Sequence, residues 1–186
     1  MNKNGFTLVE LAIVLVIIGI ILGGVIKGQE LVTNAKIKGL YREFQQVEFA
    51  TFSYYDRFNN YPGDNKSNEN GLIEADPVGD GTGTDETVKF WSDVTSEGFY
   101  IGELDSITNL PGHGLGGTIS VTNKVFGFAK NAVCFSDISP DDALIFDTQF
   151  DDGKSDSGTI RGGSGNNTAS DDYTGTAEYR ICVQLD

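Results

Sequence analysis

The sequence predicts an α+β fold in which one long N-terminal helix packs on a small antiparallel sheet. Two observations predict the helix: an apolar run at residues 6–26, and an apolar stripe with helical spacing that continues to Phe58, before the first proline at Pro62. A third observation predicts the sheet, because residues 177–185 alternate between apolar and polar side chains, as a half-buried strand does. The helix is expected to have a transmembrane half and an amphipathic half.

The first half of this helix is long enough to cross a membrane. Residues 6–26 contain one charged side chain, Glu10, and about 20 apolar residues span a hydrocarbon core of about 30 Å. A cleaved secretory signal fits less well, because its apolar stretch is shorter and ends at a small-x-small site, whereas the sequence after Ile26 continues as helix. A buried core helix fits less well, because a helix of this length that is apolar on every face would be unusual in a domain this small.

The second half, residues 27–60, is predicted to be amphipathic. Its apolar side chains are separated alternately by four and three residues, which places them in a single stripe on a helix. The stripe consists of Leu40, Phe44, Val47, Thr51, Tyr54 and Phe58. We expect this stripe to pack against the apolar face of the strand at 177–185.

Residues 61–186 are predicted to form an acidic globular head. The chain has 13 basic and 27 acidic side chains, a net charge of −14, and the head alone holds seven basic and 22 acidic ones, a net charge of −15. Binding to phosphates needs clustered Lys and Arg, so the head is not expected to bind nucleic acid or an anionic lipid surface directly. Such acidity is typical of a solvated, self-repelling exterior.

Two short helices are predicted within the head. Residues 85–98 begin with acidic side chains, carry an apolar patch and end at a glycine, which favours a helix over this stretch. Ser139 followed by Pro140 is typical of a helix start, with the serine as N-cap and the proline in the first turn. The second helix is expected to end within residues 147–153.

The remaining strands of the head are less regular in sequence. Residues 132–135 are apolar and predict one strand, and residues 118–129 predict two short strands joined by a turn. Residues 161–175 show no periodicity and predict a flexible surface loop. Together with 177–185, these segments predict an antiparallel sheet of three or four strands.

A carboxylate inside the apolar run requires an explanation. An acidic side chain at bilayer depth costs on the order of 3 kcal/mol, so it usually has a partner or a function. Glu10 belongs to the stretch GFTLVE, which follows the short polar leader MNKN. This front end resembles the cleavage and methylation motif of type IV prepilins and of type II secretion pseudopilins. The resemblance implies a pilin-like fold, a leader at 1–5, peptidase cleavage after Gly5, and methylation of the new amine on Phe6.

The resemblance also implies a role for Glu10. Its carboxylate would neutralise the Phe6 amine of a neighbouring subunit and so set the axial register of a helical filament. Both charges lie in an apolar bundle, where a wrong register leaves them unpaired at several kcal/mol. The filament core would consist of N-terminal helices, and the glycines between 19 and 28 are where we expect helix to be lost on assembly.

Further partners and a location follow from the same resemblance. Prepilin peptidase, an assembly ATPase, an inner-membrane platform protein and other copies of the chain are the expected partners. The precursor is expected to cross the bacterial inner membrane once with its head in the periplasm, before it enters a periplasmic pseudopilus or an extracellular pilus.

The distribution of basic residues argues for the opposite orientation. Lys3 stands on one side of the apolar run, and the other side has Lys27, Lys36, Lys38 and Arg42, a bias that would place the head in the cytoplasm. The leader motif outweighs this bias. The head also contains both cysteines, Cys134 and Cys182, which suit an oxidising compartment as a disulfide, in agreement with the resemblance. Two buried free thiols are the alternative.

Three loops rich in Gly and Asp, at 63–71, 76–86 and 147–158, offer the oxygen ligands that calcium prefers. The best candidate site for a metal ion consists of Asp147, Asp151, Asp152 and Asp156, and calcium in some pseudopilins supports it. None of the loops matches an EF-hand. Asp, Asn and Gly are also ordinary turn residues, so a purely structural role is the alternative.

The sequence does not favour an enzyme, and no cofactor is expected apart from the calcium just described. The single histidine, His113, lies in a loop without a nucleophile motif and is expected at the surface. The function that the sequence favours is a structural subunit of a type IV pilus or pseudopilus. The alternative is a membrane-anchored, acidic periplasmic binding module that does not polymerise.

Overall fold

The computed structural model describes residues 7–64, 70–74, 86–164, 168–169 and 172–185. Three helices and four strands occur in these residues. In chain order they are α1 (Leu8–Phe58), α2 (Glu86–Ser96), β1 (Ile119–Thr122), β2 (Ala132–Ile138), α3 (Pro140–Phe150), β3 (Ile160–Gly163) and β4 (Tyr179–Gln184). A long N-terminal helix with a small antiparallel sheet is the predicted α+β class, which is confirmed.

The chain divides into two compact units, Met1–Lys36 and Ile37–Asp186. The first contains the apolar part of α1, which is long and apolar enough to cross a membrane and has none of its apolar window buried by the rest of the chain. The second unit contains every other helix and strand. The boundaries predicted from sequence, after residues 5, 26 and 60, stay predictions.

The sheet has the strand order β1-β2-β4-β3, and all neighbouring strands are antiparallel. Its side chains alternate between two faces, as the pleat requires. On β2, Val133 and Phe135 belong to the main core, whereas Ala132 and Cys134 belong to a second, smaller cluster. On β4, Cys182 lies with the second cluster. The sheet therefore has apolar cover on both faces.

The main core joins the second part of α1 to one face of this sheet. Leu40, Phe44, Val47 and Thr51 of the predicted stripe are buried, while Tyr54 is half-buried and Phe58 is exposed. The stripe prediction is therefore confirmed up to Thr51. The structure adds Ile37 and Ala50, both fully buried, to the same face. Tyr41 flanks the stripe and stacks on Phe150 of α3, with ring centroids 4.0 Å apart.

The second cluster covers the opposite face of the sheet, and it corrects a prediction. Residues 125–128 were expected to be a strand but form a turn, in which Phe126 and Gly127 have positive φ values of 49° and 70°. Val125, Phe126 and Phe128 pack over the disulfide cysteines. The residues of this segment are apolar because they are buried over the sheet face. A strand and a turn can both bury such residues, so an apolar sequence does not distinguish the two.

The second correction concerns the segment predicted as a loop at 161–175, because residues 160–163 form strand β3. Its register pairs Ile160 with Val183 and Gly162 with Ile181. A side chain at Gly162 would bring a Cβ within 2.8 Å of the Tyr173 ring, so the close approach of that ring requires glycine. The part of the predicted loop at 165–167 and 170–171 lies outside the described residues.

His113, expected at the surface, is buried. Its Nε2 lies 2.8 Å from the carbonyl oxygen of Ser136, and the Leu115 N–H donates to its Nδ1 at 3.3 Å. Since a carbonyl only accepts, Nε2 carries the proton and the ring is neutral. Burial lowers the pKa of His113, which agrees with that state. The histidine therefore fastens the 113–117 turn to β2.

The helices of the head follow their predictions closely. Helix α2 ends at Ser96, and Gly98 has a positive φ of 76°, as a glycine beyond a helix end often does. Helix α3 begins after Ser139, whose side chain accepts the N–H of Asp142 at 3.2 Å. Pro140 occupies the first turn. Both predicted helices are confirmed.

Candidate functional site at the N-terminal helix

The start of α1 is closed by a pair of side chains. Thr7 precedes the first helical residue, and its N–H and hydroxyl both donate to Glu10 Oε2, each at 2.8 Å. In return, the Glu10 N–H donates to Thr7 Oγ1 at 3.3 Å. This reciprocal arrangement is a capping box, with the threonine at the N-cap and the glutamate three residues later. The predicted residues Gly5 and Phe6 lie outside the described residues.

Glu10 is therefore oriented before any partner arrives. Two donors from Thr7 occupy Oε2, and hydrogen bonds to a carboxylate offset part of the free energy needed to remove it from water. No hydrogen bond to Oε1 occurs within the part of the chain that the structure describes. The T-x-x-E spacing of this box is present in the sequence and could have identified Thr7, which the prediction from the charge of Glu10 did not include.

The apolar surface behind this cap has no cover from its own chain. Large apolar side chains are exposed along α1 from Leu8 to Val32. Helix α1 is continuous through Gly19, Gly23, Gly24 and Gly28, and a Cβ built at any of them would meet nothing within 4 Å. Glycines spaced by four residues allow another helix to approach closely. This surface can therefore contact lipid or other helices.

The two cysteines form a disulfide. Cys134 of β2 and Cys182 of β4 lie directly opposite each other in the antiparallel register, with their Cα atoms 4.0 Å apart. Both residues are fully buried, beneath the turn at 125–128. The predicted disulfide is confirmed, and the alternative of two free thiols is wrong.

Three of the four predicted calcium ligands lie together. Carboxylate oxygens of Asp147, Asp151 and Asp152 are all within 4.8 Å of one another, near the end of α3. Asp156 is exposed and is not part of this group. Most of the other two acidic loops considered, at 63–71 and 76–86, lies outside the described residues.

Hydrogen bonds from the protein already organise this cluster. Asp147 accepts the Gly153 N–H at 2.9 Å and the Tyr173 hydroxyl at 2.5 Å. Asp151 accepts the Ile160 N–H at 2.8 Å, and Asp152 accepts from Lys154 and Ser157. These donors account for the grouping of the carboxylates without an ion. Calcium binding therefore stays a prediction.

The Asp147 carboxylate is the most perturbed of the group. The pKa of Asp147 is raised to about 6 overall: burial raises it most, the hydrogen bonds from Tyr173 and Gly153 lower it, and the charges of Asp151 and Asp152 raise it a little more. Burial likewise raises the pKa of Tyr173, and the hydrogen bond to Asp147 raises it further. Nothing in the sequence indicated that these two residues, 26 positions apart, would meet.

Comparisons with known proteins identify the N-terminal segment. Residues 1–26 match the family model of the prokaryotic N-terminal methylation motif. No curated protein sequence gives a significant match. Among solved structures, the major type IV pilin PilA1 from Clostridium difficile is similar over 83% of this chain and 98% of its own, at 12% identity and a TM-score of 0.45. A likeness of that degree carries no argument about function. The match at 1–26 confirms the motif predicted from GFTLVE: this chain carries a prokaryotic N-terminal methylation motif.

Proposed function

We propose that the chain is a structural subunit of a type IV pilus or pseudopilus. The observation that carries the proposal is the methylation motif at 1–26, whose single carboxylate is fixed by Thr7 at the start of an uncovered apolar helix. In this proposal the chain is inserted as a single-pass precursor, cut between Gly5 and Phe6, methylated on Phe6 and assembled through α1. It has no catalytic role.

Assembly exchanges lipid for neighbouring helices. The exposed apolar side chains of α1 pack against other copies, and the open glycine positions allow close approach. Glu10 pairs with the Phe6 amine of the next subunit, which exists only after the leader is removed. Because Thr7 occupies Oε2, the incoming amine meets Oε1. A shifted register leaves both charges unpaired in an apolar environment, at several kcal/mol.

The proposed partners are prepilin peptidase, an assembly ATPase, an inner-membrane platform protein and other copies of the chain. The proposed location is the inner membrane, with the head in the periplasm, and then a pseudopilus or pilus. The buried disulfide supports a head outside the cytoplasm, since such bonds persist in oxidising compartments.

Intact mass of the chain isolated from its host tests the proposed processing. We expect loss of residues 1–5 and one added methyl group on Phe6. A chain that retains Met1 to Gly5 would contradict the filament subunit and favour the membrane-anchored module.

A variant tests the proposed role of Glu10. Glu10→Ala removes the counter-ion for the Phe6 amine and is expected to retain membrane insertion and leader removal while filament yield falls sharply. Glu30→Ala is the matched control, because Glu30 lies on the same helix in an exposed pair with Lys27. Filament yield is measured by electron microscopy of sheared surface material. Equal yields from the two variants would remove this role from Glu10.

A second candidate function is an acidic, membrane-anchored periplasmic module that binds calcium and does not polymerise. The grouping of Asp147, Asp151 and Asp152 is the observation that favours it. Calorimetry of the detergent-solubilised chain with calcium tests the binding, and a calcium-dependent rise in melting temperature is expected from this candidate. No heat and no shift would remove calcium binding from this candidate.

A further inference from the structure

A groove runs beside the second part of α1, within the head unit. It has a volume of about 640 Å³ and lies between one face of the helix and the segment at 99–102. Its lining residues are Arg42, Gln45, Gln46, Phe49, Phe99, Tyr100, Ile101 and Gly102. Phe49 is 70% exposed and Ile101 is 95% exposed. Two large apolar side chains thus stand in water at the edges of the groove.

The charge of the groove differs from that of the head around it. The lining has one cation, Arg42, and no acid among the residues that the structure describes, whereas residues 61–186 have a net charge of −15. Arg42 makes no salt bridge with any described residue. Its charge does act on the adjacent Glu43, where burial raises the pKa of the carboxyl and Arg42 opposes that rise. A partner that combines an apolar side chain with a carboxylate would therefore match the groove.

The same chain offers such a partner on the turn at 105–109. Ile107 is 82% exposed at the tip of this turn. Asp105 Oδ1 accepts the N–H groups of Ile107 and Thr108 at 2.9 and 2.8 Å, and the Asp105 N–H donates to the Leu110 carbonyl at 2.9 Å. These bonds hold Ile107 outward on a fixed loop, next to a carboxylate.

The Asp105 carboxylate remains charged in this turn. The N–H groups of Thr108 and Ile107 lower its pKa. Because Oδ1 accepts those bonds, and Oδ2 has no hydrogen bond within the described residues, Oδ2 is available to an outside cation. The turn therefore presents an apolar side chain next to a carboxylate. Because the turn is already ordered by these bonds, little conformational entropy is lost when it binds.

We propose that the groove receives the 105–109 turn of a second copy of this chain, with Ile107 against Phe49 and Tyr100 and with Asp105 facing Arg42. The two surfaces are different parts of one chain, so the contact is heterologous and propagates from subunit to subunit. The inference rests on the proposed filament function and names a contact between heads that would accompany helix packing.

The small area of this contact limits its strength. A single turn in a groove buries much less than the roughly 1,200–2,000 Å² of a stable interface. The heads alone therefore do not associate through it. In a filament, α1 already holds neighbours together, and the effective concentration of one head beside the next makes a weak contact effective.

Cysteine cross-linking in the native host tests the contact. The two native cysteines are bonded to each other, so introduced thiols have no free native partner. Phe49→Cys and Ile107→Cys full-length variants are produced together, with different tags, and oxidised during assembly. We expect a disulfide-linked dimer that contains both tags, and no dimer when either variant is produced alone.

A reversal of charge in the groove tests the electrostatic half. Arg42→Glu in the Phe49→Cys chain places a carboxylate opposite Asp105, and we expect the mixed dimer to fall about tenfold, equivalent to about 1.4 kcal/mol. Lys38→Glu is the matched control, because Lys38 is exposed on the same helix but does not line the groove. A yield equal in both variants would overturn the pairing of Arg42 with Asp105.

The remaining outcomes separate this inference from the proposed function. Filaments that assemble normally without any mixed dimer would overturn the groove contact and leave the filament function standing. A dimer from Phe49→Cys alone would replace the heterologous contact with a symmetric one, which also overturns the inference. If the unmodified chain retains its leader and forms no filaments, the proposed function fails and this contact fails with it.

Discussion

Asp147 is a fully buried carboxylate whose two oxygens accept the Gly153 N–H and the Tyr173 hydroxyl. Its pKa is raised from 3.8 to about 6, so the folded state holds the proton more tightly than the unfolded state does. The stability that this group contributes is therefore full below about pH 3.8 and is lost as the pH rises towards 6. The shift is equivalent to on the order of 3 kcal/mol.

Asp147→Asn removes this titration while retaining an oxygen acceptor. We expect the stability of the unmodified chain, relative to the variant, to decline between pH 4 and pH 6, as measured by melting temperature in detergent. Asp156→Asn is the control, since Asp156 is an exposed aspartate of the same loop. Parallel pH curves for the unmodified chain and Asp147→Asn would contradict the raised pKa.

At the scale of residues, the sequence alone indicates those features whose chemistry depends on near neighbours in the chain. A carboxylate in an apolar run identified Glu10, and the T-x-x-E spacing contained enough information to add Thr7. The contact of Asp147 with Tyr173 depends on how the end of α3 meets a segment 26 residues later. No local pattern contains that information, because tertiary packing alone brings the two side chains together.

At the scale of elements, helix α3 begins with a cap that is open to a direct test. Ser139→Ala removes the acceptor for the Asp142 N–H, and we expect a loss of about 1 kcal/mol in the free energy of unfolding. Ser106→Ala is the matched control, because Ser106 is exposed in a turn. The measurement is denaturant unfolding at neutral pH. Equal losses from the two variants would contradict the cap.

The disulfide between β2 and β4 closes a loop with a sequence separation of 48 residues. Replacement of Cys134 and Cys182 by alanine is expected to lower the free energy of unfolding by about 2–4 kcal/mol, mainly by freeing the unfolded chain. Melting temperature in reducing and non-reducing buffer supplies the measurement. The unmodified chain should lose stability on reduction, and the double variant should not respond.

The elements predicted from sequence are those with a complete local signal. Helix α2 has an acidic start and a glycine stop in the sequence, and α3 has Ser139 and Pro140 at its start. Strand β4 alternates except at Cys182, which is buried on the opposite face of the sheet. Strand β3 has two glycines in four residues, which is unusual for a strand. It forms because its backbone pairs with the edge of β4 and because glycine at 162 leaves room for the Tyr173 ring. The turn at 125–128 was predicted as a strand because its side chains are apolar. A turn that is buried against the second face of the sheet needs apolar side chains just as a buried strand does.

At the scale of the whole molecule, the division of the chain follows burial rather than composition. The sequence changes from uniformly apolar to periodic after residue 26, yet the first residue of α1 that is fully buried in the head is Ile37. The boundary between the two compact units falls directly before this residue. The amino-acid composition of a segment depends on whether lipid or water surrounds it. The boundary of a compact unit depends instead on which side chains pack into the core.

Two fragments test this division. Residues 33–186 retain every buried side chain of α1 and are expected to unfold cooperatively as a monomer, because the groove contact is too small to hold heads together without the N-terminal helix. Residues 45–186 lack Ile37, Leu40 and Phe44, three buried side chains whose loss costs roughly 2–5 kcal/mol each, comparable with the whole stability of a domain. We therefore expect this shorter fragment to have no cooperative melting transition by calorimetry. Similar melting curves for the two fragments would show that the head does not depend on α1, and a stable dimer of the longer fragment would show that the heads associate without it.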